Sequence, residues 1–266
     1  MQQHAYHNFF LTALLILFSL VCGTATATEK SEIGIVVLHG KWDSQSGHAS
    51  GLANYLSREG FQVSSPEMPW SGRRAYDKGT DDMVAEIDKA ADDLKKAGAK
   101  KIYVAGHSQG AVGSLYFATR QQVSGLILIA AGGHSQGKRF VTNYAPSVAE
   151  AKKHIERGKA GDNVSFTDLN TGGRTKTIKS PAQSVVDYFD PEGPFNSYLT
   201  APKIMSGTAV LIIIPKDEVD ALKDTARTIG EKLPVGTQSQ IVEVGSDHLN
   251  APDASKAVIR DWLLTQ

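Results

Sequence analysis

With 266 residues, 41% of them hydrophobic, the chain has the size and apolar content of a globular domain and not of a disordered segment. Lys and Arg together number 28, as do Asp and Glu, so the formal net charge is zero. No cationic excess is present to neutralise phosphates, which argues against a nucleic-acid partner.

The first element in chain order is a leader. Residues 9 to 21 are apolar, and Ala25-Thr26-Ala27 fits the small-x-small pattern at which signal peptides are cut. The apolar run falls short of the ~20 residues a membrane-spanning helix needs. The sequence therefore predicts a signal peptide over 1–27, cleavage near Ala27, a secreted or periplasmic protein, and no stable membrane anchor after cleavage. Cys22, the one cysteine, leaves with the leader. The remaining chain then has no disulfide, no thiol nucleophile and no cysteine metal site.

Six short apolar runs follow, which read as buried strands. They are Ile33 to Leu38, Phe61 to Ser64, Lys101 to Ala105, Gly125 to Ala130, Thr208 to Ile214 and Gln240 to Val244. Helical spacing of apolar residues predicts helices over Gly47 to Glu59 and from Asp81 or Asp82 to Gly98. Another helix is predicted from Ala111, and a last one from Pro252-Asp253 that buries Val258, Ile259, Trp262 and Leu263. Near-continuous apolar strands separated by helices imply an α/β protein with a mostly parallel sheet of about six strands, covered on both faces. Residues 138–207 interrupt that rhythm. They are polar and contain one clear helix, opened by the capping box Ser147-Val-Ala-Glu150. An insertion of this length between the fourth and fifth strands predicts a cap or lid. It divides the core into 28–137 and 208–266.

The pentapeptide GHSQG occurs twice, around Ser108 and around Ser135. Both copies fit G-x-S-x-G, in which a strained turn between strand and helix lifts a serine oxygen off the sheet edge. The pattern needs a strand before it and a closely packing helix after it. Ser108 has both. Ser135 follows a strand, but Lys138 to Pro146 does not read as a close-packing helix, so Ser108 is the expected nucleophile. A serine needs a base. Of His39, His48, His107, His134, His154 and His248, the last follows the final strand and shares its carboxyl edge with Ser108, where open α/β sheets place their sites. By elbow geometry His107 is expected to point away. The base needs an acid to orient it. The segment after the fifth strand offers Asp217, Glu218 and Asp220. Asp217, nearest the strand end, is the expected acid, with Glu218 and Asp220 as the alternatives.

With these residues in view, the chain resembles the α/β-hydrolase superfamily. The likeness runs from Ile33 to the C-terminus. It is carried by Leu38-His39-Gly40 after the first strand, the Ser108 elbow, the acid after the fifth strand and His248 after the sixth. The resemblance implies that the backbone N–H groups of Lys41 and Gln109 form an oxyanion hole, and that 138–207 is the cap. It implies a Ser108–His248–Asp217 hydrolase acting on carboxylic esters, with no metal and no organic cofactor. A peptidase or thioesterase with the same triad, or a non-catalytic binding protein on the same fold, are the alternatives. Trp42 and Trp70 could wall the substrate pocket, and Arg73, with Arg74, could meet an anionic substrate group.

Overall fold

The structure is a computed structural model that describes residues 29–132 and 137–266. The leader and the second pentapeptide's serine, Ser135, lie outside the described residues.

Strand β1 (Ile33–Leu38) is buried at all six positions, which only a strand covered on both faces can be. Helix α1 (Ser50–Arg58), strand β2 (Gln62–Ser64) and helix α2 (Thr80–Lys96) follow. Next come β3 (Lys101–His107), α3 (Gln109–Ala118) and β4 (Gly125–Ile129). The insertion holds α4 (Lys138–Glu156), β5 (Asn163–Leu169), β6 (Thr175–Pro181), α5 (Ala182–Phe189) and α6 (Ser197–Thr200). The chain returns through β7 (Ala209–Pro215), α7 (Asp220–Lys232), β8 (Ser239–Val244), α8 (Ala251–Ala254) and α9 (Lys256–Leu263).

The six-stranded sheet has the order β2-β1-β3-β4-β7-β8, and every neighbouring pair is parallel. The chain moves outward from β1 to β2 and then restarts on the other side with β3. The carboxyl ends of β1 and β3 therefore flank a topological switch point, with Leu38 opposite Gly106. Alternate residues of each strand feed two separate cores. Val36, Leu38, Val104, Leu128 and Ile212 pack under α2, α3 and the insertion. Ile35, Val37, Ala105, Ile129 and Ile213 pack under α1 and α9.

The insertion carries more regular structure than the single helix expected. Its first helix is 19 residues long and runs through Pro146. Tyr144, Val148 and Ala151 are its buried stripe at helical spacing, while Pro146 lies on the exposed side. There the carbonyl freed by the missing proline N–H can face water. The segment after the second pentapeptide is thus helical after all, but it packs on α5 and β5 instead of the main sheet. The β5–β6 hairpin is antiparallel. On β5 the residues Val164, Phe166 and Asp168 are buried and the intervening ones exposed, so its pattern is a half-buried alternation and not an apolar run.

Candidate active site

The elbow forms because β3 runs into α3 with one residue between them. That residue, Ser108, sits at φ 54° and ψ −115°, a conformation that non-glycine residues adopt at a cost of about 1–3 kcal/mol. It is held by Ser108 N donating to Ile129 O (2.9 Å) and by Gly132 N donating to Ser108 O (3.1 Å). The flanking glycines make the turn possible. A Cβ on Gly106 would lie 2.2 Å from Gly110 backbone atoms, and one on Gly110 would lie 2.5 Å from Leu38 O. Ser108 thereby stands at the N-terminus of α3, where the helix dipole favours developing negative charge.

His248 reaches this serine from the loop after β8. Its Nε2 is 3.0 Å from Ser108 Oγ. That loop is shaped by Asp247, whose carboxylate accepts from Asn250 N at 2.9 Å and from Asn250 Nδ2 at 3.0 and 3.1 Å. It is pinned from below by His107. Burial and the neighbouring His248 push the His107 pKa down to about 4, so the ring is neutral near pH 7. Its Nε2 lies 2.8 Å from His248 O, an acceptor, which assigns the proton to Nε2. Among the described residues, Nδ1 is left without a partner. The expectation that His107 turns away from the site is corrected: it holds the backbone of His248.

The carboxylate beside His248 is not the one chosen from sequence. His248 Nδ1 bonds Glu218 Oε2, and both side chains are buried. Asp217 is exposed. Beyond Pro215 the backbone still follows β8, with Lys216 N on Val244 O (2.8 Å) and Asp217 N on Ser246 O (3.0 Å). The turn closes only with Glu218 N on Pro215 O (3.3 Å), so the inward side chain is the next one along. Asp220 opens α7 with a side chain 95% exposed.

The loop after β1 lies against the elbow, since a Cβ on Gly40 would sit 3.4 Å from Ser108 Cβ. His39, buried and with its pKa lowered chiefly by that burial, ties this loop down. Its Nδ1 donates to Gly40 O (2.8 Å) and its Nε2 accepts from Met68 N (3.0 Å). Trp42, at φ 58°, gives its backbone N–H to Trp70 O (3.0 Å). Among the described residues no backbone carbonyl takes the Lys41 N–H. Gln109, as the first residue of α3, has no partner within the helix for its own.

A cavity of about 100 Å³ opens over Ser108 and His248, with Trp42, His48, Asn170 and Arg174 on its walls. Of the four side chains expected at the substrate, only Trp42 borders it. Trp70 is fully buried, donates Nε1–H to His39 O (2.8 Å), and packs on Tyr188 and Phe195, so it is core. Arg73 is 77% exposed, pairs with Glu67 at 3.8 Å, and borders a different surface hollow. Arg74 is taken up by Glu86 and Asp77. Sequence reasoning also missed the hairpin residues Asn170 and Arg174, because nothing in a polar insertion marks which turn folds back. Among the described residues, no group of three or more His, Cys, Asp or Glu could hold a metal ion.

The family model described as "Serine aminopeptidase, S33", a hydrolase family, matches residues 29–167, just over half of the chain. The chain is an α/β hydrolase. Among solved structures, this α/β hydrolase is similar to one of the metagenome-derived lipolytic enzymes LipS and LipT, with 17% identity, a TM-score of 0.61, and 88% of this chain and 92% of the other covered. It is similar to the Est1E protein of Butyrivibrio proteoclasticus bound to ferulic acid, at 16% identity and TM-score 0.60, covering 91% and 92%. It is also similar to the monoacylglycerol lipase of Paleococcus ferrophilus, at 19% identity and TM-score 0.60, covering 87% and 94%. No curated protein matches the chain significantly.

Proposed function

We propose that this α/β hydrolase is a serine hydrolase of small carboxylic esters, working through Ser108, His248 and Glu218. The observation that carries the reading is the 3.0 Å approach of His248 Nε2 to Ser108 Oγ. Ser108 Oγ attacks the ester carbon while His248 takes its proton, and Glu218 stabilises the imidazolium. The backbone N–H groups of Lys41 and Gln109 receive the oxyanion. His248 returns the proton to the departing alcohol and then activates water to release the acyl group. No metal or organic cofactor enters these steps.

The size of the cavity supports short acyl groups. At about 100 Å³ it has little room for a long chain. The matched model's description raises a peptidase as the second reading. An aminopeptidase needs a carboxylate facing the substrate's α-ammonium. The carboxylate among the described lining residues, Asp43, has its Oδ2 engaged within its own loop, accepting from His48 N at 3.0 Å and lying 3.1 Å from His48 Nδ1. An ester is the better fit for that reason. With its leader cleaved near Ala27, the enzyme acts outside the cytoplasm.

The test uses p-nitrophenyl esters of graded chain length together with a fluorophosphonate probe. Acetate and butyrate should turn over faster than octanoate, the probe should label Ser108, and Ser108→Ala should lose on the order of 10⁴-fold or more in kcat. Wild-type turnover in Ser108→Ala would overturn the reading.

A further inference from the structure

Resting on that hydrolase reading, we propose that Asp168, at the end of insertion strand β5, is a positioning residue that fixes both oxyanion donors from behind.

Asp168 is fully buried and collects four donors. Its Oδ1 accepts from Lys41 Nζ (2.7 Å) and Tyr144 Oη (2.5 Å). Its Oδ2 accepts from Trp42 Nε1 (2.7 Å) and Tyr76 Oη (3.0 Å). Two of these come from the loop that follows β1. The neighbours of Asp168 tighten the same grip. Leu169 O accepts from Lys41 Nζ at 2.9 Å, and Asn170 Nδ2 donates to Lys41 O at 3.4 Å. Lys41 is thus held at its ammonium and at its carbonyl by three consecutive residues of the insertion. The aromatic rings of Phe189 and Tyr144 lie 5.3 and 5.8 Å from the same ammonium. The peptide that carries the Lys41 N–H is held on its other side, since Gly40 O accepts from His39 Nδ1 (2.8 Å) and from Asp43 N (3.3 Å), so with the Lys41 side chain and carbonyl also fixed, its direction is set.

The second donor is reached through Tyr76. Its hydroxyl lies 3.0 Å from Asp168 and 3.2 Å from the side-chain amide of Gln109. A phenol has one proton, and the carboxylate is the stronger acceptor. The proton therefore goes mainly to Asp168 Oδ2, with Gln109 Oε1 as the second acceptor of the same hydroxyl. The carboxylate thereby connects Lys41 directly, and Gln109 through one hydroxyl.

Stability alone is a poor reason for this arrangement. A buried ion pair repays its desolvation only partly, and apolar replacements of similar volume are often as stable. What a fully satisfied buried network contributes is a unique geometry. Geometry is what oxyanion stabilisation needs, because misplacing a group by about 1 Å can cost on the order of 10²-fold in rate.

The experiment compares the full-length wild type with Asp168→Asn, Tyr76→Phe and Tyr144→Phe. Active sites are titrated with a fluorophosphonate. Then kcat per titrated site, KM for p-nitrophenyl acetate, and the inhibition constant of a short trifluoromethyl ketone are measured. Asp168→Asn should lower kcat per site by about 10- to 100-fold, leave KM within about threefold, and weaken the ketone by the same factor as kcat. The two phenylalanine variants should shift in the same direction by about 3- to 10-fold, and they carry the test if Asp168→Asn does not fold. Wild-type kcat per site and ketone affinity in the folded variants, with only the melting temperature lowered, would make Asp168 a structural staple and end the proposal. A wild type that neither hydrolyses any ester nor takes the probe at Ser108 would instead overturn the hydrolase reading, and this inference with it.

Discussion

The carboxylate that meets His248 Nδ1 belongs to Glu218, one position beyond Asp217, whose side chain faces solvent. In the catalytic reading proposed above, Glu218→Gln keeps the shape of the side chain but presents His248 with a group that can donate as well as accept. The tautomer with a proton on Nδ1 and a free lone pair on Nε2 is then no longer enforced, and the imidazolium loses its counter-charge. We expect kcat to fall by about 10³- to 10⁴-fold, with KM little changed. Asp217→Asn should stay within about twofold, since an exposed carboxylate contributes little. Ester kinetics on the two purified variants decide it, and equal losses in both would remove Glu218 from the triad.

His107 makes the fold sensitive to acid. Its pKa is about 4 in the folded chain against an ordinary 6.5, because burial and His248 disfavour its charge. Between those two values the unfolded chain binds the extra proton and the folded chain does not. Stability therefore falls as pH drops from 6.5 toward 4, by an amount on the order of 3 kcal/mol. His39 is lowered as well and acts in the same direction. Urea unfolding midpoints measured at pH 7, 5.5 and 4.5 should decline steadily. His107→Asn, which can still donate to His248 O, should show a shallower decline. Identical slopes for the two proteins would show that another group controls acid unfolding.

The glycine after the nucleophile's neighbour is a third point of leverage. A Cβ on Gly110 would stand 2.5 Å from Leu38 O and 2.8 Å from His39 O, both backbone atoms of the segment leading to Gly40. That backbone cannot move without pulling the Lys41 amide from Ser108. Gly110→Ala should cost about 3 kcal/mol of stability and lower kcat in whatever protein folds. Gly161→Ala, at a position with nothing within 4 Å, is the control and should change stability by no more than about 0.5 kcal/mol. Paired thermal and denaturant melts separate these outcomes.

The parts of the molecule that could be read from sequence are those where local pattern and tertiary role coincide. Ile33 to Leu38 is apolar at every position because it is buried on both faces, so its run announces a strand. Ser108 is legible because a strained elbow demands glycines at fixed offsets. His248 is legible because sheet topology brings strand ends together. The choice among Asp217, Glu218 and Asp220 is not legible, because distance from a strand end does not reveal how far the backbone keeps pairing beyond it. Strand β5 was missed because its inner face holds Val164 and Phe166 but also Asp168, a charge that sequence reading assigns to solvent. Its burial depends on Lys41, Trp42, Tyr76 and Tyr144, which lie 24 to 127 positions away. No local pattern encodes a network of that kind.

Trp70 and Arg73 were expected at the substrate, and their actual surroundings predict opposite behaviour. Trp70 fills the space above Gly113, where a Cβ would come within 2.7 Å of its ring, and its N–H satisfies His39 O. Trp70→Ala would open a large cavity and orphan a buried carbonyl. A loss of about 3–5 kcal/mol is expected for the cavity, with roughly 1–3 kcal/mol more for the unmade hydrogen bond. Trp70→Phe should recover most of the first loss and little of the second, which two-state urea melts can resolve. Arg73 pairs with Glu67 only at 3.8 Å and from a largely exposed side chain, so Arg73→Ala should leave stability within about 0.5 kcal/mol. Because it does not border the cavity over Ser108, KM should also be unchanged for neutral and for anionic esters alike. A KM that rose for an anionic ester alone would bring Arg73 back to the substrate, and would mean that the hollow it borders connects to the cavity when substrate is bound.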